Sequence, residues 1–309
     1  MARMPHVAGV EHRHVQAGDL SVHVAEAGTG DPVLLLHGWP QHWYMWRALM
    51  PALAGDYRVI APDLRGHGWT DAPGHGYEKE QMASDVLRLM DALELDRVRL
   101  VGHDWGGWIG WLLCMREPDR FERYLALNIA LPWPTVDLRG LGDLWRVWYQ
   151  LVIAAPVLGE WLLRNKPGFV TTLIKANASE RDVWTASELR SFLAPLEEPE
   201  RARASSLLYR TFLLRELGPV TAGRYRSSRL STPTLLLFGT GDKAISRRMV
   251  TGHEPYADDL RVELVETSGH WIAEEQPDLV ADRALEFFAA AANGPTAPNG
   301  SATPAADRS

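Results

Sequence analysis

The 309-residue sequence predicts an α/β fold interrupted by a long helical insertion. Apolar strand-like runs alternate with amphipathic helical stretches at both ends of the chain, which is the signature of a sheet layered with helices. Several of those runs are apolar without a break, as suits central parallel strands covered on both faces. Between about Leu131 and Ser231 the alternation stops, and the sequence turns helical, tryptophan-rich and punctuated by proline.

Taken in order, the pattern predicts strands at His12–Gln16, Leu20–Glu26 and Val33–Leu36 and, after one helix, at Tyr57–Ala61. An amphipathic helix follows at Gln81–Leu93, then strand Val98–Val101, helix Trp105–Met115 and strand Tyr124–Asn128. The insertion carries helical segments at Gly142–Asn165, Pro167–Ala176, Ser179–Ala194 and Pro199–Glu216. Strand Thr234–Phe238 resumes the alternation, with a helix near Ser246–Thr251, strand Arg261–Val265 and a closing helix Ile272–Ala290. The expected division is a core made of residues 1–131 and 232–292, a helical cap of 132–231, and a small, polar, proline-rich tail of 293–309 that is expected to be disordered.

Composition narrows the function classes. With 46% apolar and 23% charged residues the chain reads as a soluble globular protein. A count of 32 basic against 39 acidic residues, with no long basic run, argues against nucleic acid as a partner. The first eleven residues hold no apolar stretch of signal-peptide type, and the apolar runs are too short to span a bilayer. A lone cysteine, Cys114, fits a cytoplasmic location and reads as a buried thiol. Tryptophan, at 13, outnumbers tyrosine at 8 and phenylalanine at 7, so the fold calls for flat apolar walls that also carry an N–H.

The residues that carry chemistry sit at predicted strand ends. Leu100-Val101-Gly102-His103-Asp104-Trp105-Gly106-Gly107 runs a strand into Gly-x-Asp-x-Gly and then a helix, the setting of a nucleophile elbow. The central residue is Asp104. A serine attacking saturated carbon would leave a stable ether, whereas a carboxylate leaves an ester that water can hydrolyse. Standing alone, the motif is equally a helix N-cap. Asp242 follows strand Thr234–Phe238 and His270 follows strand Arg261–Val265, which completes the order nucleophile, acid, histidine of the α/β-hydrolase fold. His37-Gly38-Trp39-Pro40 follows strand Val33–Leu36, so the backbone N–H groups of Trp39 and Trp105 are the candidate oxyanion hole.

These pieces, HGWPQHWYMW, DLRGHGWTDAP at Asp63–Pro73, VGHDWGG and SGHW, together resemble α/β-hydrolase-fold epoxide hydrolases over roughly residues 10–290. The resemblance implies a mostly parallel eight-stranded sheet flanked by helices, with the insertion as a cap. It implies attack by Asp104 on a small apolar epoxide, then hydrolysis of the ester to a vicinal diol by water that His270 activates with Asp242 behind it. It further implies two cap tyrosines on the epoxide oxygen, for which Tyr149 and Tyr225 are the candidates and Tyr209 a competitor. His37, Pro40, Trp108, Trp148 and Trp271 are the expected pocket residues. Neither a metal nor an organic cofactor is expected, because no cluster of ligating residues has the required spacing; a homodimer is admitted. The rivals are a haloalkane dehalogenase using the same Asp104, with the Trp105 indole on the halide, and a non-catalytic receptor on the same scaffold. Asp63, Arg65, His67, His75 and His103 read as structural.

Overall fold

In the computed structural model, which describes residues 2–134, 148–180 and 182–290, the chain opens with β1 (Glu11–Ala17) and β2 (Leu20–Ala27), an antiparallel pair that sets His14 opposite His23. Next come β3 (Asp31–Leu36), α1 (Leu49–Leu53), β4 (Tyr57–Pro62), α2 (Lys79–Ala92), β5 (Val98–His103), α3 (Trp105–Arg116) and β6 (Phe121–Leu127). Among the described residues six helices separate β6 from the next strand: α4 (Trp148–Ala154), α5 (Leu158–Asn165), α6 (Pro167–Ala176), α7 (Ala186–Leu193), α8 (Pro199–Thr211) and α9 (Leu217–Thr221). The described chain ends with β7 (Thr234–Gly239), β8 (Leu260–Val265), α10 (Ile272–Glu275) and α11 (Pro277–Ala289).

The eight strands form one sheet in the order β1-β2-β4-β3-β5-β6-β7-β8, parallel from β4 onward. Val33–Leu36 and Leu100–Val101 are wholly buried, which is why those runs carry no polar alternation. After β4 the chain crosses back to lay β5 on the other side of β3, with Leu36 level with Gly102. Loops diverge at such a reversal and leave a crevice beyond the carboxyl ends of the strands. The loop after β3 and the turn after β5 flank that crevice, and the ends of β6, β7 and β8 continue the same edge.

Several expected helices are shorter than their sequence patterns. The closing helix divides at Pro277, which lacks an N–H; Gln276 leaves the helical region and α11 restarts with proline in its first turn. Within the Gly142–Asn165 segment, residues 142–147, Trp145 among them, lie outside the described residues. The remainder is two helices parted around Pro156 and Val157. The Ser179–Ala194 segment becomes helical only at Ala186, where Thr185 and Glu188 form a reciprocal capping box. The helix expected near Ser246–Thr251 is a single 3₁₀ turn, Arg247–Val250. Beyond α8 the Pro199–Glu216 segment changes to a π-helical turn, Phe212–Glu216. The expected tail lies outside the described residues. Among the described residues no helix is long and apolar enough to cross a membrane.

Candidate active site

Asp104 occupies the turn between β5 and α3 at φ 50°, ψ −122°, a conformation that side chains rarely adopt. The turn is tight enough that a Cβ on Gly106 would fall 2.1 Å from the Leu36 carbonyl oxygen. Small flanking residues thus let the strand turn sharply into the helix and present the carboxylate at the crevice. Trp39 N–H donates to Asp104 Oδ1 at 2.8 Å, and the neighbouring Trp105 N–H also favours the charged carboxylate.

His270 Nε2 lies 3.7 Å from Asp104 Oδ2, and its Nδ1 donates to Asp242 Oδ2 at 2.8 Å. Asp242 is held in turn by the N–H groups of Ala244 and Ile245, each 2.8 Å from Oδ1, and by Asn128 Nδ2 at 2.9 Å from Oδ2. Burial pulls the imidazole toward its neutral form, but the Asp242 and Asp104 carboxylates outweigh that and hold its pKa up at about 10. Burial works the other way on Asp104, and the His270 imidazolium 3.7 Å away leaves its carboxyl below the ordinary carboxylate value. The resting arrangement is therefore carboxylate, imidazolium, carboxylate. His103 donates from Nε2 to the His270 carbonyl at 2.8 Å, and burial lowers its pKa to about 4, so it braces the loop as a neutral ring.

Above this line lies a cleft of about 310 Å³, counted to its open mouth. The core contributes Trp39, Pro40, Asp104, Ala244, His270 and Trp271; the helical insertion contributes Tyr149, Leu173, Ile174, Asn177 and Tyr209. The two parts are also tied by Trp271 Nε1 to the Ile174 carbonyl and by His270 N–H to the Asn177 carbonyl, both at 2.9 Å. The Tyr149 and Tyr209 rings meet edge to face at 6.0 Å. Burial, reinforced for Tyr149 by the Asp104 charge and for Tyr209 by its phenolic neighbour, raises both pKa values, so both remain O–H donors across the working range of pH.

The α/β-hydrolase fold family profile matches residues 31–277. The chain belongs to the α/β-hydrolase fold family. This hydrolase is 29% identical to the soluble epoxide hydrolase of Corynebacterium sp. (strain C12), over 91% of its own chain and 98% of that protein. Among solved structures it is similar to a protein of Salmonella enterica proposed to be an acyltransferase, with TM-score 0.82 and 28% identity over 93% of this chain and 97% of the other. It is also similar to the epoxide hydrolase CorEH, with TM-score 0.79 and 26% identity over 91% and 99% of the two chains.

Four expectations for this hydrolase are corrected by the geometry. Tyr225 does not line the cleft: its hydroxyl donates to Glu80 Oε1 at 3.0 Å, and its carbonyl accepts from the Trp133 indole. Tyr209 stands in its place, because Ala202, Ser205, Ser206 and Tyr209 follow one another on the buried face of α8. His37 is sealed below the cleft, accepting from Leu64 N–H and donating to the Gly38 carbonyl, with burial lowering its pKa to about 3. Trp108 packs on Phe212 and Tyr225 rather than on the cleft, and Trp148 is half exposed against Phe169. Pro40 and Trp271 do line it, and the Trp39–Pro40 peptide is cis.

Asp63 accepts from the Trp43 and Trp69 N–H groups and pairs with His23, while Arg65 forks onto Asp85. The Cys114 thiol is buried, and its pKa is raised by that burial. Among the described residues no group of histidines, cysteines and carboxylates could hold a metal ion. Leu173, Ile174 and Asn177 carry no motif, and only the packing of the insertion identifies them as lining residues; Ala244 lines the cleft from the loop after β7, beside Asp242.

Proposed function

We propose that this hydrolase is an epoxide hydrolase that converts an apolar epoxide and water to a vicinal diol. In this reading residues 132–231 act as a cap over a core of 1–131 and 232–292. The observation that carries the reading is a carboxylate nucleophile facing two phenols across one apolar cleft. A serine hydrolase has no use for an aspartate at the elbow, and a leaving group that stays attached as an alkoxide needs O–H donors.

The steps balance without any group from outside the site except water. An Asp104 oxygen attacks one epoxide carbon, the C–O bond breaks, and its electron pair stays on the epoxide oxygen. Tyr149 and Tyr209 hold that oxygen and give it a proton, which the His270 imidazolium replaces. Esterification removes the Asp104 charge that helped to keep His270 protonated, so the imidazole is then ready to serve as a base. His270, oriented by Asp242, takes a proton from water, and the hydroxide adds to the ester carbonyl. The Trp39 and Trp105 N–H groups, already beside the Asp104 carboxylate, stabilise the oxyanion. Collapse passes the His270 proton to the departing diol oxygen and leaves Asp104 as a carboxylic acid, whose proton returns to His270 and so restores the carboxylate as the product leaves.

Asp104→Ala is expected to abolish diol release, and His270→Ala to accumulate enzyme heavier by one epoxide on intact-mass analysis. A His270→Ala protein that never gains that mass from any of a panel of aromatic and aliphatic epoxides would refute the scheme. The second reading, haloalkane dehalogenation, draws on the buried indole N–H of Trp39, beside the cleft, which has no hydrogen-bond acceptor. Halide release from haloalkanes, run beside diol release, separates the two.

A further inference from the structure

A buried cation used by none of these steps stands against the Trp105 ring. Lys79, the first residue of α2, has no solvent exposure. Its ammonium donates to the Tyr77 carbonyl, the Leu208 carbonyl and Glu216 Oε2, each at 3.0 Å, so all three of its protons are directed. The other Glu216 oxygen accepts the Lys79 backbone N–H at 2.9 Å. The same ammonium lies 4.7 Å from the centroid of the Trp105 ring and 5.4 Å from that of Phe212. Glu216 reaches it from the π-helical turn, a distortion that tends to occur at functional sites.

An ammonium out of water is unfavourable unless it is fully paired, and a neutral packed side chain would fill the same space at lower cost. Two of the Lys79 contacts lead to the cleft. Leu208 immediately precedes Tyr209, and Trp105 immediately follows Asp104. The Trp105 ring also meets Tyr209 edge to face at 5.6 Å. A cation on one face of an indole draws electron density from the ring and makes its N–H a better donor. The Trp105 side chain, close to the Tyr209 hydroxyl, eases its ionisation.

We propose that Lys79 is a positioning residue: through the Trp105 ring and the Leu208 carbonyl it fixes the Tyr209 hydroxyl opposite Asp104, and so governs ring opening but not ester hydrolysis. The inference rests on the epoxide reading for what Tyr209 donates to. Lys79→Met alone would strand the Glu216 carboxylate, so the test pairs Lys79→Met with Glu216→Gln. In a His270→Ala background with styrene oxide as probe, the paired change is expected to slow the mass gain about tenfold. With His270 intact, single-turnover decay of the ester is expected to keep its rate. In a Tyr209→Phe background the paired change is expected to add less than about a twofold loss, since residues acting through one another are not additive.

An unchanged rate of mass gain, equal slowing of both phases, or an undiminished tenfold loss in Tyr209→Phe would each overturn the assignment. Should the paired variant fail to fold, Trp105→Phe keeps the Lys79–Glu216 pair and carries the same test: slower mass gain that depends on Tyr209 supports the assignment, and an unchanged rate overturns it. No mass gain at all with Lys79 intact would instead overturn the epoxide reading, and this assignment with it.

Discussion

Gly38 tests the placement of the nucleophile without touching any ionisable group. An alanine Cβ there would fall 2.3 Å from both Cβ and Oδ1 of Asp104 and 2.7 Å from Cγ, against about 3.4 Å for ordinary contact. The substitution therefore demands a displacement of roughly 1 Å, from one side or the other. Asp104 is poorly able to yield, because its carbonyl accepts from Trp108 N–H at 2.9 Å and the neighbouring Gly106 has no room against the Leu36 carbonyl. If the loop moves instead, Trp39 N–H leaves the carboxylate it now meets at 2.8 Å. A misplacement of about 1 Å costs on the order of 10²-fold in rate, and loss of one oxyanion donor about 10²–10³-fold. Gly38→Ala is thus expected to lower kcat for diol release by roughly 10²-fold or more while circular dichroism reports an unchanged fold. Gly55→Ala, where an added Cβ meets nothing within 4 Å, is the control and is expected to keep full activity. A Gly38→Ala enzyme within threefold of the parent, measured on the same epoxide, would refute the argument.

The remaining predictions concern the phenols and the imidazole. Tyr209→Phe is expected to slow ester formation by about 10²-fold in single-turnover mass measurements. Tyr225→Phe, which loses only the contact with Glu80, should stay within about twofold of the parent; the reverse ranking would restore Tyr225 to the site. Asp104→Asn removes one of the two carboxylates that hold His270 up, so its imidazole pKa should fall below about 10, as followed by NMR titration. The sign for stability follows from the same shift. A histidine whose folded pKa exceeds its unfolded value contributes fully below the unfolded value and loses that contribution as the pH rises through about 10. Chemical denaturation of Asp104→Asn should therefore show the loss complete at a lower pH, and smaller in total, than in the parent, and coincident profiles would contradict the charge assignment.

Most of the sheet was legible because central parallel strands must be apolar on both faces, and Val33–Leu36 and Leu100–Val101 leave little else to be. The elbow was legible for a related reason: a sharp strand-to-helix turn needs small residues at fixed distances from the central one, and Gly102 and Gly106 stand at them. Helix ends were less legible, since the apolar period runs across Pro156 and Pro277 although the backbone cannot. The choice between Tyr209 and Tyr225 depends on how the insertion packs, and local spacing reports that only indirectly. The stripe Ala202, Ser205, Ser206, Tyr209 on α8 is the signal that could have found it: small residues let the helix approach, and the tyrosine one turn on is carried inward. Lys79 was illegible for the opposite reason, because a lysine at a helix start reads as solvated until Leu208 and Glu216, far along the chain, close over it.

The charge on the site gives these separate features a common purpose. In the resting state the line Asp104, His270, Asp242 sets two carboxylates against one imidazolium, and under the epoxide reading the proton that ring opening requires is already stored on His270. In the proposed mechanism, once Asp104 becomes an ester the imidazole keeps Asp242 but loses the charge at 3.7 Å, and its affinity for a proton falls at the step that needs a base. The two phenols work in the opposite sense, since burial keeps them protonated and confines them to donating and relaying. Such swings require a medium that does not screen them. Trp39 and Trp271 line the cleft beside this line, and the Trp39 backbone N–H donates to the Asp104 carboxylate. The tryptophan excess is thus divided: Trp39 and Trp271 flank the charged line at the cleft, while Trp43, Trp46 and Trp111 are wholly buried in the core.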